Sequence, residues 1–322
     1  MTRRLDRGDL EQFRRDGYLV VEGLLDDSDL EPLWNAYETR LDQVARQFAA
    51  SGLIADTFAE LAFGERYARI ARMRPDVYSH LDITLPVVDD MAADAPVFAH
   101  PAVFDLLRHP AILDVAEDIL GPEIVSNPTQ HLRLKVPGGD DATTWHQDLA
   151  GLLDEALNSD ILTVWVALTD VTVENGCLLV IPGSHRHLGD TLTRHVIDAP
   201  GESNYIPDTD LAPGSPVALP VRRGGLVLFD KLTHHASLPN RSDDIRMSFD
   251  LRYQPVGQAT GRPAFPCFVA RSRAAPGSVL RDAQAWAGLW EAAREAILAG
   301  DVEGPIFETV RWSRNSPLHA HS

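Results

Sequence analysis

Lysine is nearly absent from this chain. Lys135 and Lys231 are the only two in 322 residues, so anion binding falls almost entirely to arginine, whose planar fork can grip a carboxylate at two points. Cysteine is equally scarce. Cys177 and Cys267 cannot staple a disulfide-dense scaffold, and without an export signal they read as reduced, buried thiols. No stretch approaches the roughly 20 apolar residues needed to cross a bilayer. The opening Met-Thr-Arg-Arg-Leu-Asp-Arg runs into charge with no apolar segment of a signal peptide, so a cytoplasmic protein with no membrane partner is expected. Positive charge is in deficit: 29 Lys and Arg face 47 Asp and Glu, a net charge of −18. Such a field disfavours nucleic acid and anionic membranes as partners. There is no internal repeat and no low-complexity linker. What remains is an ordinary globular composition, 44% hydrophobic and 24% charged, enough for one large domain or two small ones. It says nothing about oligomeric state.

The N-terminal part is helical in pattern. Residues 8–16 predict a short helix stopped at Gly17, followed by a β-prone run from Tyr18. Asp27 and Ser28 offer a cap for a helix over 29–50, with Leu30, Leu33, Tyr37, Leu41 and Val44 on one face. Residues 52–100 carry little periodicity; Arg69, Arg72 and Arg74 read as a solvated face or a wall of a pocket. Residues 102–120 predict one or two helices around Pro110, ended by Gly121-Pro122. From Ile124 the pattern turns to short strands separated by Gly, Pro and Asn turns. The runs include 130–136, 161–169, 177–181, 217–219, 226–229 and 246–253. With no helical pattern between them they imply an antiparallel sandwich or barrel, and a jelly roll (double-stranded β-helix, cupin-like) fits the count. Residues 184–214 predict a long lid or binding loop, with His195 as a loop residue. Residues 279–299 predict a helix whose Leu280, Trp286, Leu289, Trp290 and Ile297 pack on the barrel. His319 and His321 read as tail residues. The expected organisation is a single domain over 1–322: a helical flank over about 1–120, a β-helix core over about 123–255 and a helical segment over about 279–300.

The chemistry concentrates in Trp145-His146-Gln147-Asp148. Residues two apart on an extended strand share a face, so an imidazole and a carboxylate can take adjacent positions on one metal ion. Alone, the pair reads more readily as a surface His–Asp contact. Farther on come His235-Ala-Ser237-Leu-Pro-Asn240 and Arg246-Met-Ser248. Two histidines and one carboxylate with open positions is the facial arrangement of non-heme Fe(II) oxygenases. Asn175-Gly176 and Pro182-Gly183-Ser184-His185 intervene, then Gly224-Gly225-Leu-Val-Leu-Phe229.

In this order, from about Gly17 to Tyr253, these motifs resemble the phytanoyl-CoA dioxygenase family of Fe(II)/2-oxoglutarate-dependent oxygenases. The resemblance implies Fe(II) on His146, Asp148 and His235, with 2-oxoglutarate and O2 as co-substrates. Arg246 would hold the distal carboxylate of 2-oxoglutarate, with Ser248 and Ser237 on the same faces. Trp165 and either Gln130 or His131 would line the cofactor site. The implied reaction hydroxylates, desaturates or cyclises a small-molecule substrate, with release of succinate and CO2. Halogenating relatives lack the carboxylate, so Asp148 implies oxygenation. His185 and His187 would belong to a structural turn, and Asn240 would tie down the loop after His235. Three departures stand out. The lysine that relatives place in the 52–100 region for 2-oxoglutarate is missing, Gly225 replaces a common aspartate, and only Arg262, Arg271, Arg273 and Arg281 could offer an acyl-CoA a basic surface. The competing expectations are a non-catalytic jelly roll, and a metal enzyme independent of 2-oxoglutarate in which Arg246 is a structural ion pair.

Overall fold

Asp6 opens the first helix, α1 (Arg7–Asp16), by a reciprocal cap. Its carboxylate accepts the Asp9 N–H at 2.9 Å, and Asp9 accepts the Asp6 N–H at 3.1 Å. Gly17 closes the helix in the left-handed region, φ 77°, and leads into strand β1 (Tyr18–Val21). A side chain at Gly17 would place its Cβ 2.2 Å from His185 Nδ1, so glycine is required twice over. Helix α2 (Asp27–Ala50) repeats the capping device with Asp26 and Asp29. The expected cap at Asp27 lies one residue late: three neighbouring residues are all good caps, and the reciprocal pair that forms is Asp26 with Asp29. The structure is a computed structural model that describes residues 4–86, 91–139, 142–197, 204–303 and Ile306.

Helices α3 (Phe63–Met73), α4 (Pro101–Leu107) and α5 (Pro110–Leu120) complete the N-terminal flank. The arginines expected on one face of α3 are surface groups: Arg69 pairs with Glu65, Arg72 donates to the Pro137 carbonyl, and Arg74 pairs with Asp76. None lines the cavity described below.

The strands then follow: β2 (Ile124–Ser126), β3 (His131–Lys135), β4 (Thr143–His146), β5 (Leu162–Ala167) and β6 (Leu178–Val180). Next come β7 (His187–Asp190), β8 (Val217–Leu219), β9 (Leu226–Asp230) and β10 (His235–Ser237). The last two are β11 (Arg246–Pro255) and β12 (Phe268–Arg271), before helix α6 (Ala283–Ala299). Two antiparallel sheets form. The larger runs β1-β9-β5-β11-β2-β12, with β3 also on β11; the smaller runs β4-β10-β6-β8. This is the expected jelly roll with flanking helices. Strands β2 and β3 pair in succession along one edge of β11, as an interrupted strand. Strand β12 was not anticipated, because a four-residue strand among Pro and Arg has too little alternation to register.

Alternation on β11 sorts the chemistry. Met247, Phe249, Leu251 and Tyr253 face the helices and join the main core, with Leu162, Val164 and Val166 of β5. Arg246, Ser248, Asp250 and Arg252 therefore face inward, between the sheets. A second apolar core fills part of that interior with Trp165, Cys177, Leu178, Val180 and Phe229. Helix α6 buries Trp286 and Trp290, stacking Trp286 on Phe104 of α4 and setting Trp290 edge-on to Phe265. Leu289, expected in that stripe, stays 39% exposed. Cys177 is buried as expected, but Cys267 is exposed; both are free thiols. Gly224, at φ 79°, brings the turn against the Leu25 carbonyl, where a Cβ would lie 2.0 Å away. Gly225 is equally enclosed, so the missing aspartate does not loosen the turn. Among the described residues, no helix is long and apolar enough to cross a membrane.

Candidate metal centre and its cavity

Strands β4 and β10 lie side by side, with His146 directly opposite His235. Their ring centroids are 4.0 Å apart. Strand β4 ends at His146, and Asp148 opens a single 3-10 turn, Asp148–Gly151. The spacing expected of a strand thus holds, but a turn delivers the carboxylate. One ligand atom from each of His146, Asp148 and His235 lies within 4.8 Å of the others, and His235 Nε2 is 3.8 Å from Asp148 Oδ1. Among the described residues, no other trio of such groups converges in this way.

Each ring is already set for coordination. His146 Nδ1 lies 2.8 Å from the Thr144 carbonyl, and His235 Nδ1 lies 2.9 Å from the Thr233 carbonyl. A carbonyl only accepts, so Nδ1 donates in both rings and Nε2 keeps its lone pair for a metal. Burial, with the His235 ring beside it, pushes His146 down to about 3. It therefore stays neutral, as a metal ligand must. Burial alone would raise the Asp148 carboxyl, but Arg252 and the two imidazoles override it and hold the group well below the carboxylate range.

Arg252 was not singled out from the sequence. It grips Asp148 with Nη2 on Oδ1 at 2.5 Å and Nε on Oδ2 at 3.2 Å, while Nη1 donates to the Thr129 carbonyl. The Thr163 hydroxyl, opposite Arg252 on β5, donates to Oδ2 as well. The signal was present in the alternation. An arginine on the inner face of a strand whose other face is Met, Phe, Leu and Tyr is buried, and a buried arginine needs an acid.

His146, Asp148 and His235, the three candidate ligands, open onto a cavity of about 210 Å³. Trp165, Leu178, Phe229 and Ala236 supply its apolar wall. Arg246 lines it, 2% exposed, with its guanidinium carbon 5.5 Å from the centre of the Trp165 ring. It donates to the Ser248 hydroxyl at 2.8 Å and to the Gly176 carbonyl at 3.2 Å. Ser248 is buried behind it, and Ser237 lines the cavity while accepting the Thr143 N–H. Lys135 stands directly across the strand pair from Arg246 and also lines the cavity, donating to the Leu238 carbonyl at 2.7 Å.

Other residues lie elsewhere. Neither Gln130 nor His131 is part of the cavity lining. Asp82 captures His131 Nδ1 at 2.9 Å and takes the Leu132 N–H as well, which turns that imidazole away. His234 is fully buried on the opposite side of β10 from the ligand. It accepts the Ala212 N–H and bonds the Thr193 hydroxyl, while Gln147 accepts the Thr193 N–H. His195 is buried too, accepting the Gln147 N–H. The described part of the long loop therefore braces the backs of the ligand-bearing segments and contributes nothing to the cavity lining. His185 bonds the Arg14 carbonyl, and Asn240 ties the loop after β10 to the Lys135 and Asp244 carbonyls. His319 and His321 lie outside the described residues.

Many known proteins are similar to this chain in sequence or in fold. A mouse protein, phytanoyl-CoA dioxygenase domain-containing protein 1, is 34% identical over 172 residues, 51% of this chain. The chain spans 57% of that protein's length and 52% of its rat counterpart's. Among solved structures, a non-heme monooxygenase, ThoJ, superposes with a TM-score of 0.58 at 22% identity, covering 90% of this chain and 99% of that one. EvdO2 from Micromonospora carbonacea var. aurantiaca, complexed with 2-oxoglutarate, gives 0.53 at 24% identity, covering 80% and 95%. At these identities the structures speak to the fold. The sequence pattern of the family Phytanoyl-CoA dioxygenase (PhyH) matches residues 13–248, which contain β1 through the Arg246 end of β11 and every candidate ligand, and the chain belongs to that family.

Proposed function

We propose that this protein is an Fe(II)- and 2-oxoglutarate-dependent oxygenase acting on a small organic substrate. The observation that carries the reading is the cluster of His146, Asp148 and His235, with both Nε2 atoms presented into a cavity that Arg246 also lines. Membership of a dioxygenase family supports it. In hydroxylation, a substrate C–H, O2 and 2-oxoglutarate give an alcohol, succinate and CO2, with iron and 2-oxoglutarate supplying the oxidising chemistry.

The chain's own residues hold and orient. His146, Asp148 and His235 would hold the ion and leave it open positions for co-substrate. Arg252 and Thr163 occupy both Asp148 oxygens and fix how that carboxylate is presented. Arg246 grips the distal carboxylate of 2-oxoglutarate, with Ser248 steadying the guanidinium. Lys135, on the opposite strand, adds the second cation that was missing from the 52–100 region. Trp165, Leu178 and Phe229 keep water from the reacting carbon. A cytoplasmic setting belongs to the same proposal, in keeping with two free cysteines.

Two measurements bear on this reading. A panel of small metabolites, scored by substrate-stimulated succinate release, should contain a compound oxidised one-for-one with succinate formed. Release that no compound stimulates, in protein that binds iron and 2-oxoglutarate, would point to a non-catalytic binder. Arg252→Gln should weaken Fe(II) binding about ten- to a hundredfold, as loss of a partner to a ligating carboxylate does, and Arg252→Lys less so. Wild-type iron affinity in Arg252→Gln would leave Arg252 as a packing residue only.

A further inference from the structure

Arg133 is the cavity residue that the metal and 2-oxoglutarate leave unused. On β3, Leu132 joins the helical core, while Arg133 lines the cavity with Lys135. Its Nε donates to Asp250 at 2.7 Å. The Asp250 side chain is 13% exposed and the Arg133 side chain 47%. One edge of the guanidinium is thus fixed to a half-buried acid. Among the described residues, its two terminal amino groups make no hydrogen bond, and the side chain lines the cavity.

Register puts Arg133 in the inward row of β3, lining the same cavity as His146, Asp148 and His235. Arg133 pairs with Ser248, between the Lys135–Arg246 pair and the His131–Asp250 pair. Asp250 lies across from Trp165 on β5, and Arg252, two residues farther along β11, holds Asp148. A guanidinium held by one edge, with its other donors free, is shaped for a carboxylate or phosphate. A chain of net charge −18 repels anions at long range, so any anionic ligand must be recognised by a local cation. The arginines that could serve an acyl-CoA are engaged elsewhere: Arg271 holds Asp114 and Glu117, Arg273 pairs with Glu117, Arg262 donates to the Gly151 carbonyl, and Arg281 donates to the Pro276 and Val279 carbonyls.

We propose that Arg133 is the substrate anchor, binding an anionic group, carboxylate or phosphate, on the molecule to be oxidised. The proposal rests on the oxygenase reading above. Asp250 is a positioning residue: it aims the guanidinium and does not touch the substrate.

The test uses full-length protein loaded with Mn(II) and 2-oxoglutarate, so that nothing turns over and the co-substrate site is filled. Calorimetry compares benzoate and phenylacetate with benzamide and phenylacetamide, and adds inorganic phosphate. The variant is Arg133→Gln with Asp250→Asn, which avoids stranding a half-buried carboxylate; circular dichroism checks its fold. Removing the Asp250 charge can only favour anions, so lost anion binding traces to Arg133. The expected result is that at least one anion binds, each acid that binds does so more tightly than its amide, and the double variant loses roughly ten- to a hundredfold in anion affinity at unchanged 2-oxoglutarate affinity. The proposal is overturned if no anion binds, if amides bind as well as acids, or if the variant binds acids like wild type. A variant that also loses 2-oxoglutarate moves Arg133 into the co-substrate site and overturns it too. Failure of 2-oxoglutarate to bind metal-loaded wild type is a different outcome, and counts against the oxygenase reading itself.

Discussion

His235→Ala protein should emerge folded, free of iron and without turnover, while His234→Ala keeps stoichiometric iron. His235 opens β10 and His234 immediately precedes it, so their side chains leave opposite faces of the chain there. His235 faces His146 across the strand pair and comes within 3.8 Å of Asp148. Removing it deletes one of three ligands and leaves two groups that cannot hold the ion alone. His234 has a structural occupation. Its Nδ1 takes the Ala212 N–H and its Nε2 bonds the Thr193 hydroxyl, both in the loop behind the sheet. Burial, then the neighbouring His187 and His235 rings, push it down to about 4, so it sits there neutral. Its removal strands a buried N–H and a hydroxyl, at a cost of about 1–3 kcal/mol each, and should lower the melting temperature without touching the metal. Iron content by atomic emission and a thermal melt separate the two effects. An iron-free His234→Ala protein beside an iron-replete His235→Ala protein would reverse the register of β10 and remove Arg246 from its role.

Arg246→Ala should raise the KM for 2-oxoglutarate by at least about thirtyfold and leave iron content near wild type. Stranding a buried carboxylate costs about 2–5 kcal/mol, and each 1.4 kcal/mol is about tenfold. Arg246→Lys should recover only part, because lysine keeps the charge and loses the fork that the Ser248 hydroxyl and the Trp165 face now orient. Lys135→Met should give a smaller rise of the same kind. An unchanged KM in Arg246→Ala would make that residue the structural ion pair of the competing reading.

Much of this arrangement could be read before any coordinates. His146, Asp148 and His235 are marked by order and spacing, and Arg246 by its distance from His235. The inner and outer faces of β11 are written in strict alternation from Arg246 to Tyr253. Other features depend on partners distant in sequence. Arg252 finds Asp148 across 104 residues, and nothing local to either names the other. Lys135 meets Arg246 only because β3 pairs with the first half of β11. His131 carries the residue type of a cofactor contact, but Asp82, in an irregular segment of little periodicity, draws it away. The loop over 184–214 has the length and composition of a lid. Gln147 and His234, each next to a ligand, instead fasten its described part behind the sheet.

The most direct measurement is anaerobic. Apo-protein is titrated with Fe(II) and then 2-oxoglutarate while the visible charge-transfer band of an iron–keto acid chelate is followed; air is then admitted and succinate counted. The expected result is one Fe(II) per chain, a band that appears only with both components present, and succinate formed only after oxygen enters. Succinate formed without iron or without oxygen, or 2-oxoglutarate binding that produces no chelate band, would contradict it.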